Sequence, residues 1–147
     1  MRPTTHADYS LRVPIYLGIE YETSRLLTMK DLAQAYAISQ HHLRIVVHKL
    51  AKLGFVQTTQ GKGGGSHLAR SPERIGVGEV VRGTEPDFHI VECFGPTADG
   101  CRISLACTLQ HMLAKAQRIF VTTLDRYTVA DMIKQHHSVV RLQPIAA

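Results

Sequence analysis

The sequence lacks any long hydrophobic run. Its longest apolar stretch, Val13 to Ile19, is interrupted by Pro14 and Gly18 and stays well short of the ~18 residues that a membrane-spanning helix needs. The opening, MRPTTHADYS, has neither the apolar core nor the small-residue cleavage site of a secretory leader. A cytoplasmic protein with no membrane partner is therefore expected. Cysteine is also scarce: the three in the chain, Cys93, Cys101 and Cys107, form an odd number crowded into one stretch. A secreted disulfide framework shows an even number spread through the chain, so reduced thiols are the expectation. There is no internal repeat and no low-complexity tract.

With 147 residues, 44% of them hydrophobic, the chain can build one ordinary core and is expected to form a single domain. Its formal charge of +5, with nine further histidines, favours a polyanionic partner through counterion release. The apolar residues from about Thr5 to Tyr21 suggest a first helix, with Thr5 and Asp8 spaced as a capping box and Pro14 marking a kink or break. Thr28 and Asp31 repeat that start signal before Met29, Leu32, Ala33 and Tyr36. A tight turn at Ala37 to Ser39 leads to a third helix, with Ser39 as its cap, a stripe of Leu43, Val46, Val47, Leu50 and Leu53, and Gly54 closing it. The other face of this helix carries Gln40, His41, His42, Arg44, His48 and Lys49, all able to donate hydrogen bonds.

Two short strands, Phe55 to Thr58 and Ser66 to Ala69, flank the glycine-rich tip GKGGG. A hairpin directly after such a helix is a wing. The expected fold class is mainly α with a small β-hairpin wing: a winged helix-turn-helix over about 1–83, a loop over about 84–108, and a long C-terminal dimerisation helix over about 104–127. Leu105, Leu109, Met112, Leu113, Ala116, Ile119, Phe120 and Leu124 recur every three or four residues along that helix, more apolar stripe than one modest core can cover. A second subunit is the expected cover. Thr128 and Asp131 announce one last short helix, and the tail after His137 looks ragged.

A basic third helix with a lysine-tipped wing points to double-stranded DNA. Ser39, Gln40, His41, His42, Arg44, His48 and Lys49 would approach the major groove, and Gln60 and Lys62 the backbone or minor groove. A dimer would then meet an inverted-repeat operator. The alternative is a merely solvated basic helix. The cysteine spacing, Cys93-x7-Cys101-x5-Cys107, matches neither the CxxC knuckle of structural zinc nor the compact ferredoxin run. Wide gaps suit a larger inorganic object, although spacing alone leaves zinc and iron-sulphur open. An enzymatic reading would pair Cys93 with His89, yet no oxyanion donor or substrate pocket can be named, and an enzyme is not expected.

DYSLR (Asp8 to Arg12) followed by IYL, the GKGGG wing, and CRISLACTLQHMLAKAQRIFVTTLDRYTVADMI (Cys101 to Ile133) together resemble the IscR/NsrR family of iron-sulphur winged-helix regulators. The match is to its nitric-oxide-sensitive repressors and covers about Asp8 to Ile133. The resemblance implies a homodimeric bacterial repressor with a [4Fe-4S] cluster on Cys93, Cys101 and Cys107, and Asp8 of the other subunit as fourth ligand. It also implies promoter release when nitric oxide attacks that cluster. From the residues alone, Asp8 could equally serve a helix N-terminus. Relatives with a [2Fe-2S] cluster place a histidine three residues after the last cysteine. This chain has Gln110 there, with His111 one position on. Relatives also carry an arginine before the first wing glycine, where this chain has Gln60, so Lys62 is the candidate to supply the charge.

Overall fold

The computed structural model describes residues 4–95 and 107–134. Three helices open the fold: α1 (Thr5–Ile19), α2 (Met29–Tyr36) and α3 (Gln40–Lys52). Each starts on a side chain that accepts an otherwise orphaned backbone N–H. Thr28 and Asp31 complete a reciprocal box, with the Thr28 N–H donating to Asp31 Oδ2 at 2.8 Å and the Asp31 N–H to Thr28 Oγ1 at 3.2 Å. Ser39 Oγ accepts the His42 N–H at 3.3 Å. The turn between α2 and α3 places Ala37 at φ 53°, and Gly54 follows α3 at φ 75°, a backbone shape that favours glycine.

The start of α1 corrects the sequence reading. Thr4, not Thr5, is the cap, accepting the Ala7 N–H at 3.1 Å while its own N–H donates to Glu85 Oε1 at 2.8 Å. Two adjacent threonines offered the same local signal, and a bond to a residue 81 positions away selects between them. Asp8 is thereby left out of the cap. Pro14 does not break α1 either: it lies inside the helix and is fully buried, so its core packing offsets the backbone bond it forgoes.

The wing comprises β1 (Val56–Thr59) and β2 (Gly65–Leu68), antiparallel with Val56 opposite Leu68 and Thr59 opposite Gly65. Its tip turns through Gly61 and Gly63, both at positive φ. After a 3₁₀ turn (Pro72–Arg74), α4 (Val77–Thr84) runs beneath α1. The chain then passes through a second 3₁₀ turn (Glu92–Phe94) to α5 (Thr108–Leu124) and α6 (Val129–Lys134). The long helix is shorter than the periodicity predicts at both ends. Cys107 is extended (φ −82°, ψ 100°) and serves as its cap; Ser104 and Leu105 lie outside the described residues, as does the tail after His137.

One core joins these pieces. Val13 and Leu17 of α1, Leu32 of α2, Leu43, Val46, Val47 and Leu50 of α3, Phe55 and Leu68 of the hairpin, Val80 of α4, and Val129 and Ile133 of α6 are all buried in it. The start of the last helix is pinned to the start of α4: the Val77 N–H donates to the Tyr127 carbonyl and the Val129 N–H to the Ile75 carbonyl, both at 2.9 Å. Arg82 of α4 also pairs with Asp125 at the end of α5 at 2.7 Å. By contrast, α5 itself buries no residue fully. Its apolar stripe splits in two. Leu113, Phe120 and Leu124 are half-buried on the inner side, whereas Leu109, Met112, Ala116 and Ile119, spaced three, four and three apart, lie exposed.

Candidate functional site

Helix geometry sorts the α3 side chains into two faces. At ~100° per residue, Leu43, Val46, Val47 and Leu50 fall on one side and are buried, whereas His41, Arg44 and His48 fall on the opposite arc and are exposed. Ser39, Gln40 and His42 are exposed at the first turn, and Lys49 is half-buried at the flank. Gln60 and Lys62 are exposed at the wing tip, together with Gly61 and Gly63. The nine residues selected from the sequence as DNA-binding candidates therefore form a helix-face group and a wing-tip group, none of them taken into the core. The face is rich in donors and contains no acidic residue along α3, so its chemistry suits phosphate and base edges.

Among the candidate metal ligands, Asp8 projects from the first turns of α1 and is paired along the helix with Arg12: Nε donates to Oδ1 at 3.1 Å and Nη2 lies 2.8 Å from Oδ2. Next to it, the Tyr9 ring lies 6.4 Å from the imidazole of His42 on α3. The hydroxyl of Tyr36, at the end of α2, donates to the Arg12 carbonyl at 2.8 Å, and the Tyr36 and Tyr16 rings meet edge to face at 6.0 Å. Burial pushes the Tyr36 hydroxyl up to about 12 from its ordinary 10.0, which keeps it a donor. No local pattern hints at this link, because a tyrosine at helical spacing reads as core. Thus α1 touches both α2 and α3 within a turn of Asp8.

Cys93 and Cys107 are free, half-buried thiols, whereas Cys101 lies outside the described residues. Cys93 borders an open cavity of 790 Å³ together with His89, Phe94, Gln110, His111 and Ala114. His89 and His111 are thus brought to the same hollow as Cys93, and Asp8 is not. Cys107 caps α5, its sulphur accepting the Gln110 N–H at 3.4 Å. Among the described residues, no three His, Cys, Asp or Glu side chains converge on one point. The donor set nonetheless fits a soft-metal group: two unpaired thiols border the segment that carries the third, and one of them already accepts a backbone N–H, as cluster-bound sulphur does.

A family model described as Rrf2, iron-dependent transcriptional regulator, matches residues 3–135. The chain is 44% identical over 142 residues to the HTH-type transcriptional regulator NsrR of Bacillus subtilis (strain 168), covering 97% of each chain. Among solved structures it resembles T. potens IscR, with a TM-score of 0.75 at 22% identity over 95% of this chain and 92% of that one. It also resembles CymR, the global cysteine regulator of B. subtilis, with a TM-score of 0.74 at 22% identity over 92% and 98%. These two likenesses bear on the fold, which is that of winged-helix regulators. No enzyme is among these relatives. From the match to its model over nearly the whole chain, and from the identity to a full-length relative, this chain belongs to the Rrf2 family of transcriptional regulators.

Proposed function

We propose that this chain is a homodimeric repressor that holds double-stranded promoter DNA at an inverted-repeat operator and releases it in response to nitric oxide. The sensor would be an iron-sulphur cluster of the [4Fe-4S] type, held by Cys93, Cys101 and Cys107 together with the partner's Asp8. In this reading residues 1–147 act as one regulator domain. About 1–83 read DNA, about 84–108 hold the cluster, and the helix within 104–127 joins the subunits. The observation that carries the proposal is the position of α1: Asp8 sits on its accessible side, while its neighbour Tyr9 lies against His42 of the reading helix.

Bound there, the cluster would supply iron atoms open to attack by nitric oxide. The chain's own residues supply the coupling. Arg12 holds the Asp8 carboxylate within its own helix, so a carboxylate recruited across a dimer must leave or share that guanidinium. Tyr36 fixes α1 to the end of α2 through the Arg12 carbonyl, and Tyr9 abuts α3. Anchoring or freeing Asp8 therefore biases the placement of the two recognition helices, which an operator with fixed half-site spacing reads as affinity. A bias of ~3 kcal/mol changes binding more than a hundredfold. The exposed seam of Leu109, Met112, Ala116 and Ile119 is the surface offered to the second subunit.

Anaerobic purification, an absorbance spectrum with iron and sulphide counts, and operator anisotropy during a nitric oxide titration test the whole reading. Colourless, iron-free protein that occupies its operator fully, or an affinity indifferent to nitric oxide, would overturn it. A second reading, a [2Fe-2S] or redox-sensing regulator, is favoured by one observation: His111 borders the same cavity as Cys93. Spectra of Asp8→Ala and His111→Ala, prepared side by side, distinguish the two.

A further inference from the structure

The recognition helix carries one residue that neither the phosphate chemistry nor the core uses. Ile45 is 50% exposed, the one large apolar side chain of α3 left in that state among the described residues. By helix geometry it lies about 40° from His41 and about 100° from Arg44, so it shares their outward arc and falls beside His48. On its inner side Ile45 borders a groove of 320 Å³ lined also by Thr5, His6, Tyr9, His42 and Val46; its outer side is bare.

The neighbours decide what can cover it. His41, Arg44 and His48 make this face a surface for a polyanion rather than for an apolar peptide or a lipid tail. The major groove of DNA offers four base-pair patterns of donors and acceptors and a single apolar feature, the C5-methyl of thymine. We infer that Ile45 is a specificity-determining residue that packs on a thymine methyl in each half-site. The inference rests on the DNA-binding reading proposed above and adds to it a base identity.

The test removes the methyl and nothing else. The full-length, anaerobically prepared protein selects its preferred duplex from a random pool, and each thymine of the recovered site is then replaced by deoxyuridine. For the natural protein, and for Ile45→Val, one thymine per half-site is expected to matter, with about fourfold weaker binding on its replacement, the equivalent of ~0.8 kcal/mol for one buried methyl. For Ile45→Ala, with an unchanged melting temperature, the same replacement is expected to have no effect. The inference is overturned if the selected half-site has no fixed thymine, if the natural protein ignores every replacement, or if Ile45→Ala suffers the same loss. Should no duplex be selected at all, the DNA-binding reading fails and takes this inference with it.

Discussion

One guanidinium grips both oxygens of the Asp8 carboxylate: Arg12, one turn further along α1, approaches Oδ1 at 3.1 Å and Oδ2 at 2.8 Å. Both side chains are 44% exposed, and an exposed pair at this spacing is worth only about 0.3–0.5 kcal/mol. Because Thr4 performs the capping, Asp8 has no larger structural task. Asp8→Ala is therefore expected to lower the unfolding free energy of the metal-free protein, measured with urea, by about that amount, whereas Thr4→Ala costs ~1 kcal/mol. The same Asp8→Ala protein, prepared anaerobically, is expected to retain less iron and to bind its operator more weakly. A large loss of stability in Asp8→Ala would show that its role is structural.

The bond from Tyr36 to the Arg12 carbonyl predicts a loss at high pH. With its hydroxyl pushed up to about 12 by burial, the folded state keeps a proton that the unfolded chain gives up near 10. The stabilisation is thus complete below pH 10 and is lost as pH rises toward 12. Tyr36→Phe removes both the bond and the titration. It is expected to cost ~1 kcal/mol at pH 8, with a difference from the natural protein that shrinks between pH 10 and 11.5. Thermal melts of the two proteins across that range check the sign; a gap that widens with pH would contradict it.

The signals legible in the sequence were the local ones. The Thr28 and Asp31 box, the Ser39 cap, the wing glycines and the Thr128 and Asp131 start each need only a few neighbouring residues, and each is found where the pattern put it. What the pattern misjudged depends on distant chain. Thr4 outcompetes Thr5 because Glu85 receives its N–H, and Pro14 stays within α1 because the core encloses it. Periodicity found the apolar residues of α5 but could not assign them to two sides, since Phe120 and Leu124 face α1 and α4 across a 520 Å³ cavity while Met112 and Ile119 face outward. The candidate site divides likewise. Residue type sufficed to select the exposed α3 donors, but the contacts of Tyr9 and Tyr36 with α3 and α1 come from packing alone.

The outward seam of α5 gives a prediction that separates folding from association. Met112 and Ile119 are 63% and 56% exposed in the single chain, so replacing both with glutamate removes little buried area and should leave the core intact. Carboxylates facing each other across an apolar seam would block a dimer. Met112→Glu with Ile119→Glu is expected to sediment as a folded monomer with near-natural circular dichroism. Its operator affinity should fall at least tenfold, because two half-sites are no longer bound as one unit. A dimer that survives this pair of substitutions would place the subunit interface elsewhere.

Lys62 and Arg44 are both exposed cations, yet their surroundings predict different losses. Lys62 sits on a tip whose flanking glycines hold positive φ, a mobile-stemmed charge beside bare backbone, which suits a phosphate and carries no base information. Arg44 is exposed on the outer face of α3, where a planar fork can read guanine. Lys62→Ala should weaken binding evenly across operator and random duplexes and reduce the slope of log affinity against log salt by ~0.9. Arg44→Ala should cost about 1–3 kcal/mol on the preferred operator and much less on random DNA, flattening the preference between them. Anisotropy titrations at four salt concentrations with both duplexes distinguish the two behaviours, and equal losses on both duplexes for Arg44→Ala would remove it from base recognition.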